Sequence, residues 1–94
     1  MKKELSKAIS YIFSWMIDNN TKILKIGGAN PILPRLSMLH AIEALMFLSN
    51  NGIMSIKYCP MNSKGEMIDQ YFDTPMELRE NTNEEGFMQV YVLN

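Results

Sequence analysis

The sequence has few of the residues on which common site chemistries depend. Among its 94 residues there is one histidine and one cysteine. A single cysteine cannot form an internal disulfide, and these two residues with scattered carboxylates give no recognised metal-ligand spacing. We therefore expect no disulfide framework, no metal site and no bound cofactor. An unpaired cysteine is also typical of the reducing cytoplasm, where we expect the protein to reside.

Long apolar runs and an excess of one charge are lacking as well. No stretch approaches the ~18 consecutive apolar residues of a membrane helix, and Glu4 and Lys7 interrupt the start, so we expect neither a membrane span nor an export signal. The formal net charge of −1 creates no overall field that selects nucleic acid.

The two halves of the chain nevertheless differ in charge. Residues 1–35 carry six basic and two acidic groups, a net of +4, whereas residues 36–94 carry three basic and eight acidic groups, a net of −5. This asymmetry has two interpretations. The charges are solvated faces clustered by chance, or the acidic half faces a basic partner.

What the sequence does contain is enough apolar material for one domain. The apolar fraction is 47%, which is ordinary for a globular protein, and 94 residues suffice for one modest core. We therefore interpret residues 1–94 as a single domain. Nine residues are methionine, which fills irregular gaps in cores and also forms adaptable binding surfaces.

The segment that organises the predicted fold is a very apolar helix over residues 36–48. Pro34 suits the first turn of a helix, and Gly52 suits the end because glycine readily adopts the left-handed conformation found there. Helical spacing predicts one buried and one polar side. The predicted buried side comprises Met38, Leu39, Ala41, Ile42, Leu45, Met46 and Leu48; the predicted polar side comprises Ser37, His40, Glu43 and Ala44, interleaved with Leu36 and Phe47.

Further elements are predicted on both sides of this helix. Apolar periodicity indicates another helix and several strands, and Thr74-Pro75 is typical of a helix start. The predicted elements are a helix over residues 4–18, strands over 21–26, 53–58, 66–72 and 87–93, and a helical turn over 76–80. In the last strand, Met88, Val90 and Val92 are expected to face the core and Gln89 and Tyr91 to face outward. This order predicts an α+β fold in which two main helices pack on one face of a small, three- to four-stranded antiparallel sheet.

The helix predicted over residues 4–18 has an apolar arc about 200° wide, broader than that of an ordinary surface helix. The predicted apolar side comprises Leu5, Ala8, Ile9, Ile12, Phe13, Met16 and Ile17, with Trp15 at its margin; the predicted polar side comprises Glu4, Lys7, Tyr11, Ser14 and Asp18. One part of the arc is expected to pack on the central helix. The remainder has two explanations: contact with the sheet, or self-association of the chain through residues 4–18.

The central helix is followed at once by a strand, a glycine turn and a second strand. Over residues 34–72 this order resembles the recognition helix and wing of winged helix-turn-helix domains, with Asn51-Gly52 ending the helix and Gly65 in the wing turn. The resemblance is one of architecture and not of a residue motif. It implies a DNA-binding transcriptional regulator, dimeric through the first helix, or a related core that serves dimerisation or protein binding.

The sequence offers little that supports catalysis. His40 and Glu43 are spaced to meet on one side of a helix, but no nucleophile is placed beside them by the sequence. Cys59 has no neighbouring base and is interpreted as a buried or half-buried thiol. The Gly27-Gly28 pair lacks the spacing of a phosphate-binding loop, so we interpret it as a connection, with nucleotide binding at a subunit interface as a third alternative. We expect no enzyme activity.

These observations favour a small protein-binding module that acts as an inhibitor or adaptor, a class that includes phage proteins which block host defences. The expected partner is another protein with a basic surface. The predicted partner-binding residues are His40, Phe47, Tyr58, Met61, Tyr71, Glu77, Glu80, Glu84 and Glu85. The alternative is the winged-helix-like DNA-binding regulator.

Overall fold

The computed structural model describes residues 3–25 and 36–94. Within them the chain forms three helices and three strands, and the strands make one antiparallel sheet in the order β1-β3-β2. The elements are α1 (Lys3–Asp18), β1 (Ile23–Lys25), α2 (Met38–Asn50), β2 (Met54–Met61), α3 (Pro75–Asn81) and β3 (Gly86–Leu93). The predicted α+β class and small antiparallel sheet are thus confirmed. The Gly27-Gly28 loop and Pro34 lie outside the described residues.

The first helix buries the side that its periodicity predicts, with two exceptions. Ala8, Ile12 and Met16, spaced four residues apart, are at most 3% exposed. Tyr11, expected on the polar side, packs against the core, whereas Ile17, expected on the apolar side, is 76% exposed. No helix of the described residues is long and apolar enough to cross a membrane.

The second helix begins and ends through local hydrogen bonds. Ser37 is its N-cap, and the Ser37 hydroxyl accepts a hydrogen bond from the His40 backbone N–H at 3.2 Å. At the other end Gly52 has a φ of +71°, the left-handed conformation predicted for this glycine. The Ile53 N–H then donates to the Leu48 carbonyl at 2.9 Å, which turns the chain directly into β2.

The predicted buried side of this helix is partly wrong. Ala41, Ala44, Leu45 and Leu48 are at most 1% exposed, and together they occupy about 100° of the helix circumference. Ala44 had been expected on the polar side. Met38, Leu39, Ile42 and Met46 were expected inside and are 40–65% exposed instead. In a helix that is apolar almost all round, periodicity alone does not choose the buried face.

One side of the sheet, here called the helix side, joins both long helices in a single core. Leu24 of β1 pairs with Tyr91 of β3, and Tyr91 pairs in turn with Ile56 of β2, so these side chains share a side. The buried members of this core are Ala8, Ile12, Met16, Leu24, Ala44, Leu45, Leu48 and Met54, and Tyr91 and Leu93 pack against them.

The predicted orientation of the last strand is partly wrong: Val90 is buried and Gln89 is exposed as expected, but Tyr91 is not turned outward. Tyr91, expected to face outward, packs against the core on the helix side, whereas Val90 faces the other side of the sheet. Val90 is nevertheless completely buried. The strand lies between β1 and β2, and buried or half-buried side chains occur on both of its faces, so the alternation of its side chains does not mark a single core side.

The strand predicted over residues 66–72 is also wrong. Only two isolated bridges form along the free edge of β2, between Tyr58 and Phe72 and between Met61 and Met67. Residues 66–72 still return antiparallel along this edge, since Ile68 N–H donates to the Pro60 carbonyl and Phe72 and Tyr58 exchange backbone hydrogen bonds, but they form an irregular connection and not a strand of the sheet. Residues 67–71, here called the cover segment, lie over the side of the sheet opposite to the helices, here called the cover side.

The residues that line one cavity show where the cover segment lies. Ile23 and Lys25 of β1, Cys59 of β2 and most of the cover segment line the same space. β1 and β2 lie at opposite edges of β3. A cavity lined by β1, β2 and the cover segment therefore extends across β3. The cover segment contacts Cys59 directly, since the Cys59 thiol donates to the Ile68 carbonyl.

Candidate protein-binding surfaces

The predicted partner-binding residues do not form one surface. Phe47 packs against the helix-side core. The Tyr58 ring meets the Phe87 ring edge-on, with centroids 5.7 Å apart and planes at 77°. His40 and Met61 are half-buried, and Tyr71, at 37%, is the most exposed of the predicted uncharged contacts. Tyr71 lies with Cys59 at the cover-side cavity and not beside Tyr58.

The predicted acidic residues, by contrast, belong to one continuous stretch. Residues 66–85, here called the acidic segment, contain seven acidic side chains and a single basic one, Arg79, a net of −6. All of these acidic residues are exposed except Glu84, which is half-buried. The Arg79 guanidinium lies 6.0 Å from the centre of the Phe87 ring. Lys57 of β2 forms an ion pair with Asp73 of this segment.

Helix α3 fixes the orientation of the acidic segment. The Thr74 hydroxyl accepts a hydrogen bond from the Glu77 N–H at 3.1 Å, and the Glu77 carboxylate accepts one from the Asp73 N–H at 3.3 Å. Leu78 is completely buried and anchors the helix. Met76 is therefore held outward and is 70% exposed, one helical turn before the exposed Glu80. An apolar side chain thus lies among carboxylates.

A second surface was missed by the sequence analysis. Met38, Leu39, Ile42 and Met46 form a row on the outer side of α2, here called the α2 stripe, and are 53%, 65%, 40% and 54% exposed. The sequence signal for it was the breadth of the apolar arc of this helix. That signal was read as deep burial because nothing local separates a buried face from an exposed apolar one.

The cover-side cavity is the third feature, with a volume of about 280 Å³. The buried Cys59 thiol donates to the Ile68 carbonyl with 2.8 Å between sulfur and oxygen, and desolvation by burial raises the pKa of this thiol. Desolvation, followed by a hydrogen bond to Asp69, raises the pKa of Tyr71 to about 12. Both groups therefore keep their protons at neutral pH, and neither is a ready nucleophile.

Neither a metal site in the described residues nor a match to a known protein explains the acidic segment, the α2 stripe or the cover-side cavity. Within residues 3–25 and 36–94 no three His, Cys, Asp or Glu side chains are grouped so as to hold a metal ion. Cys59 faces the cover side, away from α2 and its His40. Comparison with protein-family models, curated proteins and solved structures found no match to the chain.

Proposed function

We propose that the chain is a small, non-enzymatic protein-binding module whose acidic segment holds a partner protein with a basic surface. The observation that carries the proposal is the net charge of −6 over residues 66–85, with nearly every carboxylate exposed. Charge of one sign concentrated in one exposed segment speeds association with a surface of opposite charge and disfavours other partners.

Exposed apolar side chains in the same segment complete this argument. Met76 is 70% exposed and Tyr71 is 37% exposed, and side chains of these types are enriched where proteins bind one another. In the proposed complex the carboxylates orient the partner, and the two apolar side chains supply contact that excludes water.

Such a module acts as an inhibitor or adaptor by occupying a basic surface that its partner uses to bind another molecule. Phage proteins that block host defences are one known setting for this behaviour, and they serve here as an analogy only. A reducing compartment such as the cytoplasm suits the unpaired Cys59 thiol.

Capture experiments with matched charge reversals test the proposal. The test variant carries Glu80→Lys and Glu85→Lys, two exposed positions that cap no helix. The matched control carries Glu4→Lys and Asp18→Lys on α1, which change the net charge by the same amount. Glu77 is left unchanged because its carboxylate accepts the Asp73 hydrogen bond at the start of α3.

The expected result is a host protein that the unmodified chain and the α1 control both retain and that the test variant loses by at least tenfold. Circular dichroism of all three proteins checks that they are folded. The proposal is rejected when every retained protein binds the test variant as strongly as the control. It is also rejected when the retained proteins present no basic surface.

A further inference from the structure

Asn51-Gly52 is the only asparagine–glycine pair in the sequence, and it lies between the end of α2 and the start of β2. Residues 51–53 are here called the α2–β2 junction. Asparagine is a chemically labile residue, and a following glycine increases this lability because no side chain shields the glycine backbone nitrogen. Both residues are exposed, and no described atom beyond the chain neighbours of Gly52 lies within 4 Å of the place that a β-carbon would occupy. Water therefore reaches the pair.

The reaction open to such a pair is deamidation through a cyclic imide. The Gly52 backbone nitrogen gives up its proton and attacks Cγ of Asn51, so that a new N–C bond forms and the bond from Cγ to Nδ2 breaks. Nδ2 takes up a proton and leaves as ammonia. One water molecule then opens the imide at either carbonyl carbon, which produces an aspartate at position 51 or an isoaspartyl linkage to Gly52. The reaction consumes one water and releases one ammonia.

The end of α2 holds the two reacting groups in hydrogen bonds of their own. Asn51 Nδ2 donates to the Phe47 carbonyl at 2.8 Å, and the Gly52 N–H donates to the Ser49 carbonyl at 3.1 Å. Ring closure requires the amide to leave Phe47 and the Gly52 nitrogen to leave Ser49. Both bonds belong to the last turn of the helix, so the reactive arrangement arises only when this turn opens.

The end of the chain fastens the same junction from the other side. Asn94 Nδ2 donates to the Gly52 carbonyl at 2.8 Å, and the Asn94 backbone N–H donates to the Ile53 carbonyl at 3.0 Å. The Ser55 hydroxyl donates to Asn94 Oδ1 at 2.6 Å and so fixes the orientation of the Asn94 amide. Opening of the junction therefore also requires these contacts to break.

We propose that Asn51 is a site of spontaneous deamidation in the folded protein, at a rate set by opening of the α2–β2 junction. The product weakens the junction in two ways. An aspartate at position 51 has no Nδ2 to donate to Phe47, and its carboxylate lies at the negative end of α2, whose last turn contains no basic residue. An isoaspartyl linkage lengthens the backbone between α2 and β2. The site is separate from the acidic segment and does not depend on the proposed function.

Asn62-Ser63 supplies an internal reference, because its asparagine also precedes a small residue. Asn62 Oδ1 accepts hydrogen bonds from the backbone N–H groups of Lys64 at 2.9 Å and Glu66 at 3.0 Å. Serine carries a side chain that glycine lacks, so Asn62 should react more slowly than Asn51 once the chain is unfolded.

Peptide mapping by mass spectrometry tests the proposal on the full chain, incubated in parallel in native buffer and in about 6 M guanidinium chloride. In guanidinium, Asn51 should convert before Asn62 and every other asparagine. In native buffer its conversion should be at least tenfold slower, because only the opened fraction reacts. Equal rates in the two conditions overturn the control by folding. Earlier conversion of another asparagine in guanidinium overturns the choice of Asn51.

Two variants of Asn94 test the role of the junction. Asn94→Ala removes the side-chain bonds to Gly52 and Ser55, and Asn94→Asp removes only the Nδ2 donor. Each should speed conversion of Asn51 in native buffer at least threefold and leave the rate in guanidinium unchanged. The matched control is Asn81→Ala, which removes a similar side-chain bond to the Glu77 carbonyl on α3 and should change neither rate.

Circular dichroism confirms that each variant is folded before incubation. Equal acceleration by Asn81→Ala and the Asn94 variants overturns the proposal, and so does an absence of conversion in both folded Asn94 variants. Asn51→Asp should lower the midpoint of urea denaturation relative to the unmodified chain, since the new carboxylate has no donor to replace Nδ2. An unchanged midpoint would contradict the weakening of the junction.

Discussion

Individual side chains on the cover side show how a loop replaces a predicted strand. The buried Cys59 thiol donates to the Ile68 carbonyl, and Tyr71 interacts with Asp69 two residues earlier in the chain. The Cys59 thiol is buried, as predicted from the absence of a neighbouring base in the sequence. Alternation along a strand places Asp69 and Tyr71 on the same face, but the hydrogen bond between their side chains was not predicted.

The raised pKa of Tyr71 leads to a titration prediction. An unperturbed tyrosine has a pKa of about 10, whereas desolvation and Asp69 raise that of Tyr71 to about 12. The folded state therefore favours the neutral phenol. Its contribution to stability is complete below about pH 10 and is lost as the pH rises through about 12. Ultraviolet absorbance of phenolate against pH should show a late-ionising tyrosine.

Two variants test whether the late phase of phenolate formation belongs to Tyr71. Tyr71→Phe should remove it, and Asp69→Asn should move it to lower pH, because the carboxylate and its hydrogen bond favour the neutral phenol. A late phase that persists in Tyr71→Phe would assign it to another tyrosine and contradict the geometry of the cover-side cavity.

At the scale of the elements, α2 shows the limit of periodicity most clearly. Its N-cap at Ser37 and its end at Gly52 follow from local chemistry, and the end was foreseen. The buried face of α2 could not be predicted in the same way, because Leu45 and Met46 are adjacent, equally apolar and equally compatible with a helix. Leu45 is 1% exposed and Met46 is 54% exposed.

Alanine substitution at these two neighbours tests the observed orientation of α2. Leu45→Ala should lower the free energy of unfolding by about 2–5 kcal/mol, since it leaves a cavity in the core. Met46→Ala should change it by less than about 0.5 kcal/mol, as expected for an exposed site. Urea denaturation measures both values. Equal losses at the two positions would mean that the helix is turned as the sequence analysis expected.

For the whole molecule, the arrangement of charge argues against the DNA-binding alternative. The helix that the winged-helix resemblance assigns to recognition contains no lysine or arginine, and it presents the apolar α2 stripe outward. Lys57, on the strand that follows, is paired with Asp73. Phosphate contacts require cations that are oriented outward, and the described part of this helix offers none.

We therefore expect no appreciable binding to random-sequence duplex DNA. Fluorescence anisotropy with a labelled duplex between about 25 and 200 mM salt should give no binding, or an affinity whose logarithm changes little with that of the salt concentration. A slope steeper than about −3 would indicate several phosphate contacts. That result would favour the DNA-binding regulator over the protein-binding module.

The sequence by itself determined the α+β class, the positions of most helices and strands, the cap of α3 at Thr74 and the buried thiol of Cys59. These features depend on residues close together in the chain, whose capping groups, glycines and apolar spacing act locally. Only the tertiary structure decided which face of α2 is buried, that Tyr91 faces the helices, and that residues 67–71 cover the sheet. Those choices depend on how elements that are distant in the chain pack against one another. In a chain rich in apolar residues, a single element has several faces that could be buried equally well, so its own sequence does not select one.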